Sequence, residues 1–72
     1  MTRNKRQVRE KLKHNIKIYR KMLGLTQVGL SIQADVSSYY ISDIEIGRGN
    51  PSLDTLCKIA NALKVEPYEL LK

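Results

Sequence analysis

LTQVGLSIQADVSSYYISDIEIG, Leu25 to Gly47, carries the punctuation of two short helices around a tight turn. The Thr26 hydroxyl can accept a backbone N–H and so cap a helix that begins at Gln27 and runs to about Gln33. Ser37 is a second cap residue, for a helix through Ser38, Tyr39, Tyr40, Ile41, Ser42, Asp43, Ile44 and Glu45. Ala34, Asp35 and Val36 are left for the turn, the spacing of a helix-turn-helix motif. Ile41 and Ile44 fall three apart on one face, and Ser38, Tyr39, Ser42 and Asp43 face away from it. A helix with so sparse an apolar stripe can rest on a small core and offer its polar face to a groove. On spacing alone, two ordinary surface helices of a small bundle remain the alternative.

Toward the N-terminus, Val8, Leu12, Ile16, Tyr19 and Leu23 recur at steps of four, four, three and four, the mark of an amphipathic helix. Gly24 would end it in a left-handed conformation that glycine adopts without Cβ strain. Met1 to Arg6 have no apolar periodicity and are expected to fray. Arg20 sits at the edge of the apolar stripe, a place that calls for a tethering partner. In the second helix Leu30 and Ala34 are the surest core positions. Val28 and Ile32 form an extra apolar pair; burial under the first helix is the favoured reading, a contact surface the other. Gly29 costs about 1 kcal/mol relative to alanine inside a helix, which suggests a close backbone approach.

Toward the C-terminus, Gly47, Arg48, Gly49, Asn50 and Pro51 are dense in turn formers. Ser52 caps a fourth helix with Asp54 in its first turn, and Leu53, Leu56, Ile59, Ala60 and Leu63 give it an apolar stripe beside Cys57. Val65 leads back to the core, and Pro67 opens a fifth, single-turn helix ending at Leu71. Tyr68, Leu70 and Leu71 offer more apolar surface than one core contact needs, which points to a dimer interface. No strand alternation appears, so the expected fold is all-α, a five-helix bundle.

The 72 residues make one domain, of a size that usually needs a staple. With Cys57 the only cysteine and His14 the only histidine, an intrachain disulfide is impossible and no zinc-ligand spacing arises. Compact packing, a homodimer or both must stabilise the chain. Cys57 reads as a small core residue in a reducing cytoplasm. No apolar run suggests a membrane span or a signal peptide, so a soluble, cytoplasmic protein is expected. The net charge is +6 and unevenly spread. Up to Leu25 there are nine basic residues and one acid, Glu10; from Thr26 onward there are four basic and six acidic. A basic arm on a near-neutral body suits a polyanion. An interfacial membrane helix would need a Trp/Phe/Leu-rich opposite face, which is missing.

The run from Leu12 to Leu71 resembles the phage-repressor type of helix-turn-helix domain, the Cro/Xre-like family, with its lambda-repressor-like fold. The pieces that carry the resemblance are IYRKMLGLTQ (18–27), VSSYYISDIEIGRGNPSLDTL (36–56) and IANALKVEPYELL (59–71). YISDIE followed by a Gly-rich turn and NPS looks most like the controller proteins of restriction–modification systems. The resemblance implies that Ser38, Tyr39, Ser42 and Asp43 read bases in the major groove, with Tyr40 near the backbone. It implies that Gln27 binds a phosphate together with the free N–H groups of its helix, and that Arg48 and Asn50 clamp the next phosphates. Ser37 joins this phosphate-binding set. Arg20 and Glu45 match a pair that ties the first helix to the end of the third. Three departures stand out. Ser38 replaces the usual arginine or glutamine and cannot read a base bidentately, leaving discrimination to Tyr39, Asp43 or DNA shape. Gly29 replaces the acidic residue of a capping box. The basic arm is long, and would extend the first helix or follow a phosphate backbone or minor groove.

An enzyme would need convergent catalytic groups, and one His, one Cys and scattered carboxylates do not supply them. RNA recognition usually stacks bases on sheet aromatics, which an all-helical chain lacks. The expected organisation is a basic arm over residues 1–7 and a DNA-binding domain over 8–72. The expected function is a homodimeric, sequence-specific regulator on an inverted-repeat operator of double-stranded DNA, autoregulatory and of controller or repressor type. An antitoxin or transcription adaptor that uses the fold to grip proteins is the alternative. No cofactor, metal, membrane or small-molecule ligand is expected. RNA polymerase is a candidate partner, and the nucleoid the expected location.

Overall fold

The first helix, α1, spans Lys5–Met22 in the computed structural model, which describes residues 2–72. Asn4 starts it with a capping box: its side chain accepts the Gln7 N–H, and the Gln7 side chain accepts the Asn4 N–H, both at 2.9 Å. The expected fraying arm is therefore helical from Lys5 onward, and a boundary at residue 8 falls inside α1; Met1 lies outside the described residues. Pairing of both end groups supplies what apolar periodicity did not.

Thr26, Ser37 and Ser52 each accept the N–H three residues on and open α2 (Gln27–Ala34), α3 (Ser38–Glu45) and α4 (Leu53–Leu63). All four helices end the same way. Gly24, Asp35, Gly47 and Lys64 take positive φ, and the next N–H reaches back to Arg20, Ser31, Asp43 and Ala60 carbonyls respectively. These are Schellman closures, which satisfy the carbonyls that a helix end leaves bare. Two of the four use a residue with a Cβ.

The chain folds as an all-helical helix-turn-helix, with no strand among the described residues. The expected fifth helix is instead a 3-10 turn over Pro67–Leu70. Its four residues close i→i+3 bonds, Glu69 N–H to Glu66 O and Leu71 N–H to Tyr68 O, and are too few for an α-helical ladder. The bundle thus has four α-helices among the described residues.

Leu12 and Ile16 of α1, Leu30 and Ala34 of α2, Ile41 and Ile44 of α3, and Leu56, Ile59, Ala60 and Leu63 of α4 enclose one core, closed by Leu70. Each fully buried Ile or Leu here contributes about 1.5–3 kcal/mol. Asn15 fastens the C-terminal turn from outside this core. Its Nδ2 donates to the carbonyls of Glu69, Leu70 and Lys72 at 3.0–3.3 Å. Arg3 adds a bond to the Leu71 carbonyl at 2.6 Å.

Several positions read as core are not core. Val28 and Ile32 are 56% and 74% exposed, because α1 packs chiefly on α3, α4 and the C-terminal turn and leaves the outer side of α2 bare. Leu53 stands at the entrance of α4 and is exposed. Cys57 is also exposed, one residue round the helix from the buried Leu56. Gly29 meets no foreign backbone. A Cβ there would press on its own cap, 3.2 Å from Thr26 Oγ1.

Candidate nucleic-acid interface

Glu45 is the joint on which the motif is hung. It is 2% exposed at the end of α3, and takes a bidentate ion pair from Arg20 of α1, Nε to Oε2 at 2.7 Å and Nη2 to Oε1 at 2.9 Å. Arg20 also donates from Nη1 to the Leu25 carbonyl at 2.8 Å, and Gln27 donates from Nε2 to Glu45 Oε1 at 3.2 Å. One carboxylate therefore ties α1, the start of α2 and the end of α3. Burial alone would push the Glu45 carboxyl up. The hydrogen bonds from Arg20 and Gln27, with the charges of Arg20 and Lys17, outweigh burial and hold it below its ordinary value. The hydrogen bond to Glu45 in turn raises the Arg20 guanidinium, against the opposing effect of burial.

With α3 anchored at this end and by Ile41 and Ile44 on its inner side, its outer side is free. Tyr39 is 84% exposed and Asp43 is exposed; Ser38 and Ser42 are half-buried beside them. Tyr40 packs against the core at the edge of this surface. Ser37 is exposed, with its Oγ accepting the Tyr40 N–H as a cap. Gln27 lies half-buried at the start of α2, one N–H engaged by Glu45.

The α3–α4 loop then presents Arg48 and Asn50, both exposed. Its path is set by Asp43, whose carbonyl accepts the N–H groups of Arg48 (2.9 Å) and Gly49 (3.1 Å). Gly49 lies so close on α3 that a Cβ would stand 2.8 Å from the Ile44 Cα. Only glycine lets the loop lie flat there. In the sequence Gly49 was one turn former among five; the crowding comes from a packing that no local pattern displays. Asn15 and Asn4 likewise went unread, although the N-x-x-Q spacing at Asn4 is a legible cap signal.

The expected dimer residues separate. Leu70 is fully buried in its own core and is spent there, whereas Tyr68 is 62% exposed and Leu71 half-buried. Ser38, Tyr39, Ser42 and Asp43 lie on α3, and Arg48 and Asn50 in the loop that follows it.

Residues 16–70 match the helix-turn-helix family model, and the chain belongs to this family, of Xre-like type. It is 49% identical over 51 residues to the immunity repressor protein of Bacillus phage phi105, covering 71% of this chain and 35% of that one. It is 47% identical over 47 residues to control protein C.BamHI of Bacillus amyloliquefaciens, covering 65% and 58%. The chain thus spans less than two thirds of either relative. Among solved structures, the restriction-modification controller protein C.AhdI from Aeromonas hydrophila superposes with a TM-score of 0.80 at 33% identity, over 89% of this chain and 94% of that one.

Proposed function

We propose that this chain is a sequence-specific, double-stranded DNA-binding transcription regulator, of the repressor or controller type rather than an enzyme. The observation that carries the reading is α3: held from behind by Ile41, Ile44 and the Glu45 joint, it leaves Ser38, Tyr39, Ser42 and Asp43 free of core packing. A helix positioned so rigidly, with Arg48 and Asn50 beside it, suits insertion into a major groove. The four α3 residues discriminate bases, and Gln27, Ser37, Tyr40, Arg48 and Asn50 hold phosphates on either side. The names of the relatives, an immunity repressor, a control protein and a restriction-modification controller protein, support the same reading.

The regulator acts as a homodimer through Tyr68 and the exposed part of Leu71, on an approximate inverted repeat with half-sites about 34 Å apart. The reading includes regulation through protein concentration, autoregulation as the family resemblance implies, and a cytoplasmic location on the nucleoid. Among the described residues no helix is long and apolar enough to cross a membrane. The exposed Val28 and Ile32 favour a second reading, an adaptor or antitoxin that grips proteins, RNA polymerase included, with the outer side of α2.

Fluorescence anisotropy separates the two. The probe is the DNA upstream of the chain's own gene, beside a scrambled duplex of equal length, at two salt concentrations. A preference of about a thousandfold or more for the native duplex supports the regulator. Equal binding to both, collapsing as salt rises, favours the adaptor.

A further inference from the structure

Lys5, Arg9, Lys13 and Lys17 stand at four-residue intervals on α1 and so share one side of it. They form a row of cations about 6 Å apart and about 18 Å long, at 1.5 Å rise per residue. The row runs alongside the end of α3 and the loop to α4, in opposite direction. Lys17 adds its charge to the surroundings of Glu45. The Lys13 Cδ lies 3.7 Å from where a Gly47 Cβ would stand. Arg9 and Lys5 line a groove of about 350 Å³ whose other bank is Gly49, Asn50 and Pro51.

Arg9, Lys13 and Lys17 are half-buried, as basic side chains are when their stems cover protein and their charged ends stay wet. Glu10, 3.7 Å from Lys13, is the one acid within ion-pair distance of the row among the described residues. Glu45 is already committed to Arg20 and Gln27. The row therefore keeps most of its positive charge for a partner.

Evenly spaced cations fit evenly spaced anions, and a nucleic-acid strand is such a series. We propose that the Lys5–Arg9–Lys13–Lys17 row is a second DNA-backbone surface, seating phosphates of the duplex that flanks the groove entered by α3. This rests on the DNA-binding reading above. The row is continuous with Arg48 and Asn50 through the loop it runs beside, so one strand passes from the loop onto α1. An acidic peptide would use the groove at Lys5 and Arg9 but leave Lys13 and Lys17 idle; all four rungs are used by a backbone. The contacts carry no base information, and their effect is on affinity and salt dependence.

The test uses the full chain and duplexes it selects from a random pool, in two lengths: the selected core, and the core with about five extra base pairs at each end, matching the 18 Å row at 3.4 Å per base pair. The variants are K5Q/R9Q/K13Q, the single K13Q, and the charge-keeping K5R/R9K/K13R, each checked for native helicity. Lys17 is kept because it acts on Glu45. The intact chain is expected to bind the long duplex more tightly and with a steeper salt slope. K5Q/R9Q/K13Q is expected to lose that gain and about 2–3 of the slope per protomer, K13Q about 0.9 per protomer, and the charge-keeping variant none. The selected base sequence should not change. If the triple variant fails to fold, K13Q alone decides. Unaltered slopes and length dependence overturn the proposal. So does a variant that loses only binding to a polyglutamate peptide, which would make the row a protein-docking surface. If the intact chain selects no duplex at all, the regulator reading fails and takes this surface with it.

Discussion

Glu45 has been taken almost wholly out of water beside one arginine and one amide, and its energetics follow from that isolation. Arg20→Ala would leave the buried carboxylate with Gln27 alone, an expected loss of about 3–5 kcal/mol in urea unfolding. A loss below about 1 kcal/mol would mean that the pair behaves as an exposed one. The pH dependence has a definite sign. Because the folded carboxyl titrates below its ordinary 4.5, the unfolded chain takes up the proton first as acid is added. The contribution of Glu45 is complete above 4.5 and is lost as pH falls through its lower folded value. Urea midpoints from pH 7 to pH 3 should therefore show the gap between wild type and Glu45→Gln narrowing in that acid window. Arg20 was legible as a residue in need of a partner because it sits at the edge of an apolar stripe. That Gln27 would share the same carboxylate was not, since the α1–α2 geometry brings them together.

At the level of the helices, beginnings were easier to read than ends. Thr26, Ser37 and Ser52 act through their own side chains, so the residue type announces the cap. The ends depend on backbone handedness, which Gly24 and Gly47 advertise but Asp35 and Lys64 do not. Lys64 sits at φ +62°, in a region that costs a residue with a Cβ about 1–2 kcal/mol. Glycine there relieves that strain while giving back part of the gain through a freer unfolded chain. Lys64→Gly should raise stability by about 0.5–1 kcal/mol, seen as a higher urea midpoint at unchanged m-value. A lower midpoint would mean that the lysine side chain contributes more than its backbone strain costs. The outer side of α2 was misread for a different reason. Periodicity reports that Val28 and Ile32 share a face, but not whether another helix reaches it. The C-terminal turn was placed correctly by Pro67, and its 3-10 form follows from having only four residues to close.

Taken as a whole, the molecule divides the work of residues 68–71 between its own core and its surroundings. Leu70→Ala should cost about 2–5 kcal/mol of monomer stability, since it empties a fully buried site. Tyr68→Ala should leave the unfolding midpoint of dilute protein nearly unchanged and raise the dimer dissociation constant in sedimentation equilibrium. A dimer indifferent to Tyr68 would move the interface elsewhere. The bonds from Asn15 to the carbonyls of Glu69, Leu70 and Lys72 bring together residues 54 to 57 positions apart. On a ribosome the two partners are therefore made 54 to 57 residues apart. At about 5–20 residues per second, several seconds separate the appearance of Asn15 from that of Leu70. Throughout that interval Leu12 and Ile16 have no Leu70 to close over them, so the nascent chain is open to chaperones and proteases for a time set by translation.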